Sequence, residues 1–315
     1  MDIMTQKVIM FAMVIALSYA AAKIGWLGEN VRNGLSRLII KFTAPLMIFT
    51  SISSLEYDEN LVSESITIVI MSFTIVLLLV LAGKAYAKAA RLDEKTKGVQ
   101  VALMSFGNVA FLAYPLLESV FGPIGVFYGA FYHLANDTCF WTIGAASIDY
   151  KNTLSKKERI LKIFNQNILA IFLGVISYMT RINLPTLVFQ TLSELGQTTV
   201  YLSLVFLGTT MAGVDIKNTY KKLSIYVVVI FKMIIAPLAV AVILSRVYSF
   251  GLSNTAIIAV VLQISMPVMT FVAILANELS CNYKYAAETV FVTTVISLVT
   301  MPVILRIITY LLQNN

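Results

Sequence analysis

The sequence predicts an all-α membrane protein of ten transmembrane helices, built as two inverted five-helix repeats with interrupted helices in the fourth and ninth spans. Three observations carry this: a shortage of polar side chains, ten apolar windows of spanning length, and basic residues that sort onto one side. Of 315 residues, 59% are hydrophobic and only 12% charged, whereas a soluble domain carries roughly 25% charged residues. Mean hydropathy is +0.86. So little polar side chain cannot cover a water-facing surface of this size, and lipid must be the solvent for much of it.

A bilayer core about 30 Å thick needs about 20 apolar residues per helix. The first window, 7–26, closes at Gly28-Glu29-Asn30, and the second, 34–54, closes before Asp58-Glu59-Asn60. The third, 65–88, ends in the basic stretch from Arg91 to Gly98, and the fourth, 99–120, at Gly122-Pro123. The fifth, 123–148, is followed by the polar segment Tyr150 to Lys162; the sixth is 163–180. The seventh, 194–214, stops at Asp215 to Lys222, and 223–246, 254–277 and 286–311 complete the ten. The segment Met1 to Lys23, with Tyr19-Ala20-Ala21-Ala22, loosely mimics a signal peptide. The many spans that follow favour a retained first helix.

Charge placement tests the count, because cytoplasmic loops are rich in Lys and Arg. On the amino-terminal side lie four basic residues, Lys7, Arg181, Arg246 and Arg306, while eighteen lie on the opposite side and Lys232 falls inside a span. The expected placement is a multi-pass protein of the cell (inner) membrane with both termini outside the cytoplasm. The net charge of +7 then reflects topology and contact with anionic lipid headgroups. It is dispersed over five short loops, which argues against nucleic-acid binding. Two cysteines, Cys139 and Cys281, offer no disulfide framework or metal spacing. The single histidine, His133, cannot build a zinc site, so neither a metal nor a cofactor is expected.

Division into residues 1–150 and 151–315 gives five spans per half, and an odd number forces the halves into opposite orientation. Leu35-Ser36 resembles Leu192-Ser193, and Gly107-Asn108 in the fourth span aligns with Met266-Pro267 in the ninth. The fourth span reads Ser105-Phe106-Gly107-Asn108 and then Tyr114-Pro115; the ninth reads Ser265-Met266-Pro267. Gly and Pro loosen helical hydrogen bonding, and unwound backbone at membrane depth survives only where it lines a cavity or is buried in protein. Paired broken helices point to a transporter's binding site, although ordinary proline kinks give the same pattern.

At these residues the chain resembles the auxin efflux carrier family, which includes bacterial malate and malonate permeases. The similar stretches are Ile24-Gly25-Trp26-Leu27 through Ala44-Pro45-Leu46, Gly107-Asn108 through Tyr114-Pro115-Leu116-Leu117, and Phe206-Leu207-Gly208 through Met211-Ala212. Lys232 through Ala236-Pro237-Leu238 and Met266-Pro267 continue the match. The resemblance implies a scaffold of spans one, two, six and seven. It implies a moving transport domain of spans three to five and eight to ten, in which the broken helices cross near the midplane. It places Asn108 and Pro267 at that crossover, and allows a homodimer through the scaffold. The chain carries Gly107 where plant members have proline, and its central loop is short. Both differences favour a bacterial-type permease.

The function expected is a secondary transporter that moves a small organic anion, such as a carboxylate, by alternating access. Gly107, Asn108, Met266 and Pro267 are the expected substrate-binding residues. Asn108 is an uncharged amide able to donate to a carboxylate without the penalty of a buried charge. His133, Asn136 and Asp137 cluster in the fifth span, with His133 and Asp137 four residues apart on one helical face. Lys232 lies ten residues past Lys222, about 15 Å deep by helical rise. Intramembrane ionisable groups are rare and costly. These four are therefore candidates for proton or sodium coupling, and Asp137 and Lys232 for an ion pair, static or proton-exchanging. Glu64 reads as a solvated helix end, Trp26 and Trp141 as interfacial anchors, and the thirteen methionines as packing. An ion-coupled symporter of the bile-acid/sodium type is the nearest alternative. A channel lacks its filter or charge rings, and an intramembrane protease lacks a nucleophile beside His133 or a second acid beside Asp137.

Overall fold

The structure, a computed structural model, describes residues 3–182, 184–215, 219, 222–246 and 251–313. Every regular element among the described residues is helical. In chain order they are α1 (Ile3–Lys23), α2 (Glu29–Leu38), α3 (Ala44–Ser53), α4 (Glu59–Ala89), α5 (Glu94–Ser105) and α6 (Tyr114–Phe121). Next come α7 (Pro123–Cys139), α8 (Ala145–Ile148), α9 (Lys156–Ile163), α10 (Gln166–Thr180), α11 (Thr186–Gln197) and α12 (Thr199–Ala212). The last five are α13 (Leu223–Ile230), α14 (Ala236–Arg246), α15 (Asn254–Ile264), α16 (Phe271–Glu278) and α17 (Tyr283–Gln313).

Wide π-helical turns at Ile39–Thr43, Val109–Ala113, Phe140–Gly144 and Phe231–Ile235 lead into α3, α6, α8 and α14. Three of the four have a local cause. Pro45, Pro115 and Pro237 each stand two residues beyond the turn, and proline both lacks an N–H and clashes with the carbonyl four residues back. Widening the helix at that point relieves the clash without ending it.

Five continuous stretches are long and apolar enough to cross a membrane: Gln6–Lys23, Glu29–Ser53, Glu59–Ala89, Leu223–Arg246 and Tyr283–Gln313. The pair α9 and α10, bent by 46°, makes a sixth if taken together. The other five expected windows lie outside these stretches: 123–148 is helical but is not among them, and four more deviate from simple spans. The window at 163–180 begins at a new helix start, where Asn165 accepts from the N–H groups of Asn167 and Ile168. The window at 194–214 joins two helices at Thr198. The fourth and ninth are interrupted outright, leaving the short apolar helices Val109–Phe121 and Asn254–Ile264. Outward-facing apolar side chains are plentiful: Ile66, Ile70 and Leu81 on α4, Phe172 on α10, and Val299 and Val303 on α17 are exposed. Water-soluble monomers rarely tolerate such surfaces.

The chain packs as two compact units. The first comprises Met1–Ser65, Val109–Ala130 and Phe164–Gly213. Within it α1 lies on α12 at Gly208, where a Cβ would stand 2.5 Å from the Ile15 carbonyl oxygen. Gly196 likewise brings α11 onto the backbone of Met47 in α3. Small residues let membrane helices approach backbone to backbone. The second unit comprises Ile66–Asn108, Phe131–Ile163 and Val214–Asn315. There Gly98 seats α5 on α8, with a Cβ position only 1.8 Å from the Ser147 carbonyl oxygen. Its interior is polar as well as apolar: Asn136, Lys232, Gln263, Thr289, Thr293 and Ser297 have no exposed surface.

Candidate functional site

The site lies in the second unit, where two helices stop and their loose ends meet. Helix α5 is started by Asp93, whose carboxylate accepts from the Lys95 and Thr96 N–H groups, and ends at Phe106, which is extended at φ −103°, ψ 131°. Helix α15 is started by the Ser253 hydroxyl, which accepts from the Ala256 N–H, and ends at Ser265. Its termination follows from Pro267. That residue has no N–H for the Gln263 carbonyl, and it drives Met266 out of helical conformation. The Gln263 carbonyl instead takes the Met266 N–H at 3.3 Å.

The freed backbone groups satisfy one another. Gly107 and Val268 form an antiparallel bridge. The Asn108 N–H donates to the Pro267 carbonyl at 2.8 Å, and the Met269 N–H donates to the Phe106 carbonyl at 3.0 Å. Side chains from neighbouring helices complete the pairing. The Val268 N–H reaches Thr293 Oγ1 at 3.3 Å, and the Gly107 N–H makes a long contact of 3.5 Å to Asn136 Oδ1. Unpaired buried backbone polar groups are costly, so this exchange lets two breaks persist in the protein interior. Gly107 lets the two breaks approach closely, since a Cβ there would stand 3.2 Å from the Gln263 carbonyl oxygen and 3.4 Å from Met266 Cβ.

The sequence-predicted residues Gly107, Asn108, Met266 and Pro267 are thus brought together, all buried. Asn108 is 2% exposed, and its Nδ2 donates to Thr270 Oγ1 at 3.2 Å, one turn into the chain that leads to α16. Asn136 has no exposed surface, and its Nδ2 has no hydrogen-bond acceptor among the described residues. Lys232 sits on the π-helical turn before α14, is fully buried, and its Nζ also lacks a partner among the described residues. A Cβ on Gly107 would be 3.6 Å from that Nζ, so the lysine points at the break. Two buried donors therefore flank the crossing, a pattern that suits an acceptor-rich ligand.

The expected pairing of Asp137 with Lys232 is not formed. Asp137 Oδ2 instead meets His133 Nε2 at 3.1 Å within the same helix, because four-residue spacing stacks the two side chains. Glu64 is a second correction. It is 7% exposed and accepts from the Tyr128 hydroxyl, so it is a buried acid of the first unit rather than a solvated helix end. Trp141 is a third: it is 8% exposed, packs its ring against Phe271, and lies under the Lys162 ammonium at 4.8 Å. Trp26 is exposed. Sequence reasoning missed Thr270, Thr293 and Glu288, which is buried and ion-paired with Lys222. The threonines carried no signal, being ordinary in membrane helices. Glu288, an acid inside the apolar 286–311 window, did carry one.

Comparison with known proteins identifies the family. The family profile for membrane transport protein matches residues 3–161 and 152–305. An uncharacterized transporter of Methanothermobacter thermautotrophicus is 28% identical over 302 residues, covering 95% of this chain and 96% of that protein. An uncharacterized transporter of Methanocaldococcus jannaschii is 24% identical over 302 residues, covering 92% of this chain and 94% of its own length. The chain is a multi-pass membrane protein and not an enzyme: it belongs to the membrane transport protein family, that of the auxin efflux carriers.

Proposed function

We propose that the chain is a secondary transporter that carries a small organic anion by alternating access, with the substrate held where the breaks at Gly107-Asn108 and Met266-Pro267 meet. The observation that carries this reading is the backbone exchange between the two breaks. Non-helical backbone at membrane depth is tolerated where it is buried in protein or lines a cavity, and paired broken helices mark transporter binding sites. Asn108, with one amide hydrogen beyond its bond to Thr270 Oγ1, and the start of α16 supply neutral donors suited to a carboxylate.

In this reading the chain makes ten crossings in two inverted five-helix repeats, with the broken segments counted as spans and both termini outside the cytoplasm. The two stretches matched by the family profile, 3–161 and 152–305, divide the chain near the proposed boundary at 150. Spans one, two, six and seven form the scaffold and the others move. The first compact unit holds α1 to α3 and α10 to α12, and with them Val109–Ala130 from the fourth and fifth spans, so it overlaps such a scaffold without sharing its bounds.

Counterflow in proteoliposomes tests the reading. Vesicles loaded with an unlabelled carboxylate are expected to accumulate the labelled compound transiently above equilibrium, which a carrier produces and a channel does not. Flux that grows linearly with concentration and shows no counterflow would overturn it.

A further inference from the structure

We propose that the first compact unit carries a phospholipid site where the ends of α3, α10 and α11 meet, and that the site selects a headgroup with a primary ammonium beside its phosphodiester. Its residues belong to the first unit alone, whereas the breaks at Gly107-Asn108 and Met266-Pro267 belong to the second. The inference needs only a chain that sits in a membrane, and stands whether or not the crossing holds a substrate.

Three helix ends are drawn together by close packing. Gly174 seats α10 on α3, with a Cβ position 2.9 Å from Ile52 Cβ, and Gly196 seats α11 on the same helix at Met47. Helix α3 ends at Ser53, α10 ends at Thr180 and α11 starts at Thr186. The residues at these ends line a cavity of about 620 Å³. Bonds between segments hold its walls. The Tyr178 hydroxyl accepts from the Asp58 N–H at 2.9 Å and donates to the Asp58 carbonyl at 3.1 Å, and the Tyr57 and Tyr178 rings lie 5.6 Å apart. Ser177 Oγ donates to the Ile182 carbonyl at 3.0 Å, which ties down the turn after α10. Tyrosines at the ends of membrane helices belong to the headgroup level of a bilayer.

The polar groups around the cavity sort by sign. Arg181, which caps α10, lines the cavity with its guanidinium over the Tyr57 ring at 4.5 Å. It joins none of the ion pairs among the described residues. Helix α11 starts behind Pro185 with no side-chain cap, so the positive end of its dipole adds to the same side. The end of α3 offers acceptors. The Ser53 and Ser54 hydroxyls donate to the Phe49 and Ser51 carbonyls, which leaves their oxygen lone pairs to accept. Glu56 lines the cavity beside them and joins none of those ion pairs either. Asp58, the next acid along, accepts from the Asn60 N–H instead. One cation and one anion that share a cavity without pairing are the complement of a zwitterion. The planar fork of Arg181 fits the oxygens of a phosphodiester, and a primary ammonium has three N–H donors for Glu56 and the serine oxygens. The surroundings favour a lipid over a free zwitterion. Met179, Ile182, Leu187 and Val188, at the same helix ends, are exposed apolar side chains, a surface on which acyl chains can lie.

The test uses the full-length protein in detergent, offered an equimolar mixture of phosphatidylethanolamine and phosphatidylglycerol, with retained lipid read by native mass spectrometry. Both probes carry the phosphodiester, and only the first carries the ammonium. Wild type is expected to retain phosphatidylethanolamine over phosphatidylglycerol by about three- to tenfold, the effect of one charge-assisted contact. Glu56→Gln is expected to keep phospholipid but to bring that ratio near one. Arg181→Gln is expected to weaken retention of both lipids by a similar factor. Both side chains are exposed, so the variants should fold, and Glu56→Gln decides by itself if Arg181→Gln does not. Glycerophosphoethanolamine, the same headgroup without acyl chains, is expected to compete poorly. Equal retention of the two lipids by wild type, or a preference unchanged in Glu56→Gln, would overturn the inference. Competition by glycerophosphoethanolamine as effective as that of the lipid would also overturn it, by making the occupant a free solute.

Discussion

Gly107→Ala separates the demands of folding from those of transport. The added Cβ would meet the Gln263 carbonyl oxygen at 3.2 Å and Met266 Cβ at 3.4 Å, so the two breaks must part by a few tenths of an ångström. Overpacking costs about 1–3 kcal/mol in a tight core, and a displacement this small belongs at the bottom of that range. Against it stands a gain of about 0.4–1 kcal/mol from the narrower unfolded ensemble when alanine replaces glycine at a compatible backbone angle. Gly107 is not among the residues with positive φ, so that gain applies. The two effects nearly cancel. The variant should therefore insert and melt within a few degrees of wild type, since each kcal/mol shifts the midpoint of a large domain by about 2–4 °C. Transport should fall nonetheless, because the methyl group occupies the approach to Lys232 Nζ, 3.6 Å away. The assay is a thermal shift in detergent beside initial uptake rates at matched protein density. Normal uptake with an unchanged melting midpoint would refute the claim that this approach is used.

Gly98→Ala should behave oppositely. Its Cβ would stand 1.8 Å from the Ser147 carbonyl oxygen, and relief requires α5 and α8 to separate by more than an ångström. The loss should reach or exceed the upper end of the about 1–3 kcal/mol range, seen as reduced expression and a lower melting midpoint. Lys222→Met should destabilise toward the lower end of the about 3–5 kcal/mol expected for orphaning a buried charge, because the Lys222 side chain is 34% exposed while Glu288 is 2%. The double change with Glu288→Met should recover most of that loss, and a double variant no more stable than Lys222→Met would contradict the pairing. Asp149 gives a pH prediction. Burial pushes its carboxyl up, but the Leu154 and Thr153 N–H groups, the Thr153 hydroxyl and Arg159 outweigh this and hold it below the usual range. A depressed carboxyl stabilises above its unfolded pKa, about 3.9, and the contribution disappears as pH falls through the lower folded value. The melting-point advantage of wild type over Asp149→Asn should thus be present at neutral pH and vanish in acid.

The parts of the site that the sequence disclosed are those with strong local physics. Gly107 and Pro267 interrupt helices for stereochemical reasons independent of the rest of the fold. Lys232 announced its depth through its distance from Lys222. His133 and Asp137 declared a shared face by their spacing, and that spacing is why they pair. What stayed hidden depends on contacts between distant segments. Nothing in Thr270 or Thr293 distinguishes them from threonines that bond their own helix. Glu64 looks like a helix end until Tyr128, sixty-four residues away, closes over it. Asp137 and Lys232 are both intramembrane charges, and pairing them is reasonable without coordinates. Asp137 instead pairs with His133, one turn earlier on its own helix. The π-helical turns were legible in principle from Pro45, Pro115 and Pro237, but the same prolines also permit simple kinks.

Saturable uptake of labelled carboxylates into proteoliposomes, compared between wild type and Asn108→Ala at equal inserted protein, tests the central claim most directly. Uptake of at least one carboxylate that is lost in Asn108→Ala, with the variant still monodisperse and helical, is the predicted result. Uptake that proceeds equally well in Asn108→Ala would contradict the placement of the substrate at the crossing of the two broken helices.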